Sequence, residues 1–255
     1  MIDVSVQNSI ATVLLNRPEK RNALNDVMAA RLLEVFKSLD KDPDCKVVVI
    51  KGSGEAFCAG ADLEYLKRLQ NNSLEENLKD STNLMQMFSA LYHLSKITIA
   101  QVEGPALAGG CGLAGLCDFC YSTPKALFGY TEVKIGFIPA IVSVFLSRKI
   151  GEGPARELLL TGNIIGAERA LQLNMINGIV AKEAIEQHVS NFATVLSRQV
   201  SGQSIALTKA LLASFPGHTL EQQLQMAAQA NAEARATADC KAGIAAFLNK
   251  EKIVW

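Results

Sequence analysis

Neither sign of charge is in excess in this chain: its 255 residues carry 25 basic and 25 acidic side chains, a formal net charge of +0, and no basic run. A nucleic-acid interface needs a basic stripe to displace counterions from phosphates, so that class of partner is excluded. Long unbroken apolar runs are also absent. The longest weakly charged stretch, Ile97 to Cys117, has about the length of a membrane span, but Glu103, Pro105 and five glycines interrupt it and point to a buried turn. No charged-then-apolar segment precedes the first strand pattern near Met1, which sets the expectation of a cytoplasmic protein with no membrane association. Histidine is scarce. His93, His188 and His218 are isolated, with no serine or cysteine nucleophile motif in register, so none reads as catalytic.

The six cysteines (Cys45, Cys58, Cys111, Cys117, Cys120 and Cys240) are scattered, and without a secretory signal reduced thiols are expected. Cys117 and Cys120 form a C-x-x-C, but no second pair or nearby histidine completes a tetrahedral metal site, so core packing is the reading and no metal is expected.

What the chain does have is apolar material for a core, 49% of its residues, in a length that suits one large domain or two small ones. Ile2 to Leu15 alternates as a hairpin around Gln7-Asn8-Ser9, and Asn16 to Asn25 follows as a polar loop. Asp26 to Leu39 is amphipathic, with Met28, Leu32, Val35, Phe36 and Leu39 on one face and Asp26 as the expected cap. Leu63 to Leu94 reads as helix broken at Gln70-Asn71-Asn72-Ser73. After Glu132 the pattern is helical almost to the end: Ile135 to Ile150, Ala155 to Leu160, Ala167 to Leu173, Ala184 to Gln199, Ile205 to Phe215, and Leu220 to Asn249 with a break near Asp239. Strands with interspersed helices therefore precede an all-helical end.

Two stretches share one construction. Ile97 to Val102 reads as a buried strand, Gly104-Pro105 ends it, and Gly109, Gly110 and Gly112 crowd a turn before the small-residue helix of Ala114 to Leu116. Upstream, Lys46 to Lys51 is a strand, GSGE a turn, and Ala59-Gly60-Ala61-Asp62 opens a helix, with Asp62 as its cap. A lone glycine cluster is compatible with mere tight packing. Two strand–glycine–helix units, however, can aim two backbone N–H groups at one point, and two such donors hold an oxyanion. Glu132, after Phe128-Gly129-Tyr130-Thr131, is a carboxylate between apolar segments. It is either a surface glutamate or a buried one whose raised pKa suits proton transfer.

The motifs AFCAGADL (56–63), ALAGGCGLAGLCD (106–118) and FGYTEVKIGFIP (128–139), with NRPEKRNALN at 16–25, resemble in order and spacing those of the crotonase (enoyl-CoA hydratase/isomerase) family. The resemblance spans the whole chain. It implies an α/β crotonase (ClpP-like) fold, a spiral ββα core over 1–195 carrying a CoA-thioester site, and a C-terminal helical region over 196–255 that packs in a homotrimer or a dimer of trimers. It implies Glu132 as the proton-transfer residue and the N–H groups of Ala59 and Gly109 as oxyanion donors. The residues it places against substrate and coenzyme A are Lys20, Arg21, Ala23, Ala59, Gly60, Ala61, Asp62, Gly109, Gly112, Pro139, Phe247 and Lys250. The last two are matched to an aromatic and a lysine that reach CoA from a neighbouring subunit; a helix-face packing pair fits them as well. Coenzyme A enters as part of the substrate, and no separate cofactor is implied.

The chain departs from the family pattern at two places. Two-glutamate hydratases carry their second glutamate where this chain has Gly112, and AIVSVFLSRKIG after Pro139 replaces a glycine-rich segment. The combination resembles bacterial methylglutaconyl-CoA hydratases and favours hydration of an enoyl-CoA. A Δ3,Δ2-enoyl-CoA isomerase working with one glutamate, and a catalytically silent CoA-binding scaffold, are the alternatives. Glu103, at a strand end, is read as structural.

Overall fold

The computed structural model describes residues 1–255. The N-terminal alternation forms β1 (Ile2–Gln7) and β2 (Ile10–Leu15), an antiparallel hairpin with Ile2 opposite Leu15. β3 (Val47–Gly52) and β4 (Ile97–Val102) add in parallel, followed by β6 (Phe119–Ser122) and β9 (Gly178–Ile179), in the order β1-β2-β3-β4-β6-β9. A second sheet joins β5 (Ala106–Leu107), β7 (Leu127–Gly129) and β8 (Ile165–Gly166) in that spatial order.

The helices are α1 (Asp26–Lys41), α2 (Leu63–Leu69), α3 (Leu74–Tyr92), α4 (Gly109–Leu116), α5 (Ala140–Ile150), α6 (Glu152–Thr161), α7 (Ala167–Gln172) and α8 (Ile185–Gln199), then α9 (Gly202–Ser214), α10 (Leu220–Ala236) and α11 (Ala238–Leu248). No helix is long and apolar enough to cross a membrane.

Strand periodicity sorts the central residues into two layers. Val48, Ile50, Ala100 and Val102 face the larger core with Met28, Leu32 and Phe36 of α1, Met87, Phe88 and Leu91 of α3, and Leu113 and Ala114 of α4. Val47, Val49, Ile97 and Ile99 face the other way, onto Ile185, Val189 and Ala193 of α8. Fully burying one such aliphatic or aromatic side chain is worth about 1.5–3 kcal/mol, so both layers clamp the strands whose C-terminal ends lead into the glycine loops.

Several boundaries differ from expectation. Asn25, not Asp26, caps α1: its side chain accepts the Met28 N–H at 2.9 Å, while Asp26 pairs with Arg68 at 2.7 Å. The expected helix from Ile135 is a short 3-10 turn, Glu132–Ile135, followed by α5 from Ala140 with Pro139 at its N-cap. The break expected near Asp239 falls at Thr237, which caps α11 through the Cys240 N–H. Helix α3 is opened by a capping box between Ser73 and Glu76, local chemistry that stops α2 and restarts the helix.

Candidate active site

The polar loop 16–25 is built as a buttress. Asn22 is wholly buried in a left-handed conformation, φ 56°. Its Nδ2 donates to the carbonyls of Ser53 and Ala56, each at 2.8 Å, and its Oδ1 accepts the Arg17 N–H. Arg17 in turn donates to the Ala23 carbonyl and to Asp62, both at 3.0 Å. Burial works to raise the Asp62 carboxyl, but hydrogen bonds from the Tyr65 N–H, the Arg17 guanidinium and the Glu64 N–H outweigh it and hold it below the usual carboxylate range. An asparagine and an arginine in a polar stretch look like solvated turn residues in sequence; only the packing of the 53–62 segment against them reveals their role.

This buttress fixes the residues before α2. The Leu24 N–H donates to the Gly60 carbonyl at 2.7 Å and the Asp62 N–H to the Leu24 carbonyl at 2.8 Å. Ala59, Gly60 and Ala61 therefore lie ahead of the Asp62 cap, with a bend at Gly60 (φ 100°) and a bridge at Ala61, not in the first turn of a helix. The expected donor at Ala59 does not survive. Its N–H is already given to the Arg21 carbonyl at 3.0 Å. In a planar trans peptide the C=O and the next N–H point to opposite sides, so with the Gly60 carbonyl turned to Leu24 the Ala61 N–H faces away, and it has no acceptor within the protein. Across from it lies the second loop: a Cβ on Gly60 would stand 3.1 Å from Ala108 Cβ and 3.3 Å from the Leu107 carbonyl.

The second loop is tied to the first by a parallel bridge of Cys58 to Ala106, with Cys58 N–H to Pro105 O at 3.1 Å and Leu107 N–H to Cys58 O at 2.9 Å. A Cβ on Gly110 would overlap the Cys58 carbonyl and side chain, so only glycine allows this approach. Ala108 precedes α4 at φ 48°, ψ −123°, a region that costs a non-glycine residue about 1–3 kcal/mol. The glycines expected in a turn are helical: α4 begins at Gly109, whose N–H is unpaired at the positive end of the helix. Lys149 closes the other end of α4, donating to the carbonyls of Gly115 and Cys117 at 2.8 and 2.9 Å.

Glu132 enters from the 3-10 turn after β7. Its Oε2 is buried without a hydrogen-bond partner, and desolvation raises its carboxyl above the ordinary 4.5. Its charge acts on Cys111, in the first turn of α4, whose buried thiol is pushed up to about 12 chiefly by desolvation. The strand that leads to Glu132, β7, pairs with β5 directly ahead of α4, and the Ala108 N–H is given to the Gly129 carbonyl at 2.7 Å, so the Glu132 turn departs from the end of α4 that carries the Gly109 N–H. Glu103 stands elsewhere: it accepts from the Gln101 amide at 2.8 Å, and that amide also serves Glu186 of α8.

Leu24 pairs beside Gly60, Ala61 and Asp62, and Gly60 and Gly109 lie on the two loops that meet there; Gly112 follows one turn on in α4, and Glu132 lies three residues after Gly129, whose carbonyl accepts the Ala108 N–H. Lys20 is tied to Glu64 at 3.0 Å on the surface, and Arg21 contributes its carbonyl to Ala59. Pro139 is buried at the start of α5. Phe247 and Lys250 are not brought there within one chain: α11 packs on α9 and α10, and Phe247 is 82% exposed. The cysteines are free thiols, five of them buried.

A family profile described as enoyl-CoA hydratase/isomerase matches residues 5–255. A Thermus thermophilus protein provisionally named an enoyl-CoA hydratase is 45% identical over 245 residues, 94% of this chain and 95% of that one. The crotonyl-CoA hydratase of Syntrophomonas wolfei is 32% identical over 96% of this chain and 94% of its own. Among solved structures, an enoyl-CoA hydratase from Mycobacterium smegmatis superposes with a TM-score of 0.92 at 30% identity, covering 100% of this chain and 98% of that one. One from Shewanella pealeana gives 0.94 at 29% identity, with coverage of 100% and 95%.

Proposed function

Because the chain belongs to the enoyl-CoA hydratase/isomerase family and has its crotonase fold, we propose that it adds water across the 2,3 double bond of an enoyl-CoA thioester, with Glu132 as the only proton-handling side chain. The observation that carries this reading is a buried, unpartnered carboxylate oxygen on the turn after β7, the strand that pairs with the start of a loop leading to a helix whose first N–H is unspent. The thioester oxygen is held by the N–H groups of Ala61 and Gly109, which polarise the conjugated system. Ionised Glu132 takes a proton from water as the oxygen attacks C3. The π electrons move onto the thioester oxygen, giving an enolate, and protonated Glu132 then delivers the same proton to C2 as the enolate collapses. Water is consumed, one C–O and one C–H bond form, and Glu132 returns to its starting state. One carboxylate suffices because it is a base before it is an acid.

The acyl group we assign is one branched at C3, such as 3-methylglutaconyl, on the strength of Gly112 and the segment after Pro139. We also propose a homotrimer or dimer of trimers. Its support is the exposed apolar surface of the tail, where Phe247 is 82%, Leu248 72% and Leu224 62% open, and where Phe247 and Lys250 can reach a neighbouring subunit's CoA.

The test is incubation with crotonyl-CoA, 3-methylglutaconyl-CoA and a 3-enoyl-CoA, following ultraviolet absorbance of the conjugated thioester. Loss of conjugation from a 2-enoyl substrate is expected. Gain of conjugation from the 3-enoyl substrate alone would make the protein an isomerase, and no change with any of them a silent binder.

A further inference from the structure

The missing side chain at position 112 has not left a gap. A Cβ built on Gly112 would overlap Val142 Cγ1, and it would stand 3.3 and 3.4 Å from the Cε1 and Cζ atoms of Phe88. Carbon atoms in contact settle at about 3.5–4.0 Å, so the place of even the first atom of a side chain is taken. Both neighbours are held: Phe88 is fully buried in α3 and Val142 is 5% exposed in the first turn of α5. Gly109 lies one turn earlier on the same face of α4, and a Cβ there would meet Leu24 Cδ1 at 3.0 Å and Phe88 Cζ at 3.9 Å. The face of α4 that starts at the Gly109 N–H is therefore walled by Leu24, Phe88 and Val142, all apolar.

Helix α5 cannot easily draw back from this contact. It is pinned to α4 at the far end by Lys149, which donates to the Gly115 and Cys117 carbonyls. Val142 and Lys149 are seven residues apart, two turns of one helix, so one face of α5 grips α4 at both its glycine end and its carbonyl end.

We propose that Val142 is a specificity-determining residue: with Gly112 it replaces a polar group opposite C3 of the acyl chain by an apolar wall, which selects enoyl thioesters carrying an alkyl branch at C3 over unbranched ones. A methyl group on C3 set against a buried carboxylate would strip that carboxylate of water; set against an apolar wall it carries no such cost. The inference rests on the hydratase reading and adds to it the residue that sets the acyl preference.

The experiment has a packing arm and a catalytic arm. In the first, Gly112→Ala, Val142→Ala and the double variant are melted. Gly112→Ala alone lowers the melting temperature by about 5 °C, as overpacking does, and costs at most about 1 °C once Val142 is alanine. In the second, kcat/KM is measured on 3-methylglutaconyl-CoA and on glutaconyl-CoA, which lacks only the 3-methyl group. The unmodified protein favours the branched thioester, and Gly112→Glu/Val142→Ala moves the ratio toward the unbranched one by about tenfold or more, as one methyl contact allows. Equal melting losses in both backgrounds, or a ratio that stays within about twofold, overturns the inference while the hydratase reading stands. An unmodified protein that turns over neither thioester but hydrates crotonyl-CoA overturns this inference alone; one that hydrates none of the three overturns the hydratase reading and this inference with it.

Discussion

Glu132→Gln abolishes nearly all turnover and at the same time makes the protein more stable at neutral pH. Glutamine keeps the shape of the side chain but cannot take a proton from water or return one to C2. General acid–base catalysis commonly contributes ~10²–10⁴ in rate, and the loss here belongs at the upper end, because nothing nearby substitutes. Position 112 is glycine, and the Glu103 carboxylate is engaged with Gln101 on the α8 side of the sheet. Stability moves the other way. Desolvation raises the folded-state pKa of Glu132 above 4.5, so the folded protein binds this proton more tightly than the unfolded chain does. That contribution is complete below the unfolded value and is lost as pH rises through the folded one, so at neutral pH the ionised carboxylate weakens the fold. Glutamine, always neutral, removes the penalty. The measurements are kcat on an enoyl-CoA and the melting temperature at pH 7. More than about a tenth of normal turnover in the variant would mean that another group carries the proton.

Proline at either oxyanion position has the second largest effect. Gly109→Pro deletes the N–H at the first position of α4, where proline is otherwise tolerated. Leu24 Cδ1, which would lie 3.0 Å from the new Cβ, is the end of a side chain that can turn aside. Ala61→Pro deletes the other donor at an exposed residue whose N–H serves no protein acceptor. Loss of one oxyanion donor costs about 10²–10³ in kcat. Each variant should fall by that factor with KM for acyl-CoA changed far less, since the donors act mainly on charge that develops in the transition state. A folded Ala61→Pro protein with normal kcat would return the donor role to another N–H.

The contrast between Ala59 and Ala61 shows where sequence reading stops. The glycine-rich segments, the buried strands, the break at Gln70 to Ser73 and the cap at Asp62 are local patterns, legible because a strand alternates and a helix end needs an acceptor. Which of two alanines two residues apart has a free N–H depends on how residues 21–24 pair with 59–62, and no local pattern encodes that pairing. Asn22 and Arg17 were opaque for the same reason: a polar loop becomes a buried network only once residues 53–62 fold onto it. The strands β5, β7, β8 and β9, two or three residues each, are too short to show alternation. Gly112 was legible as the place of a lost glutamate. That Val142, thirty residues on, occupies the space was not.

The claim that one carboxylate serves both as base and as acid is tested most directly by the pH dependence of kcat for hydration. Glu132 must be ionised when water arrives, and no second group has to be protonated, so the profile should be a single rising limb. Its midpoint lies above 4.5, because burial raises the Glu132 carboxyl, and it is followed by a plateau with no falling limb. A bell-shaped profile with a falling limb between about pH 6 and 9 would contradict the account, because it would report a second, protonated group in the same step.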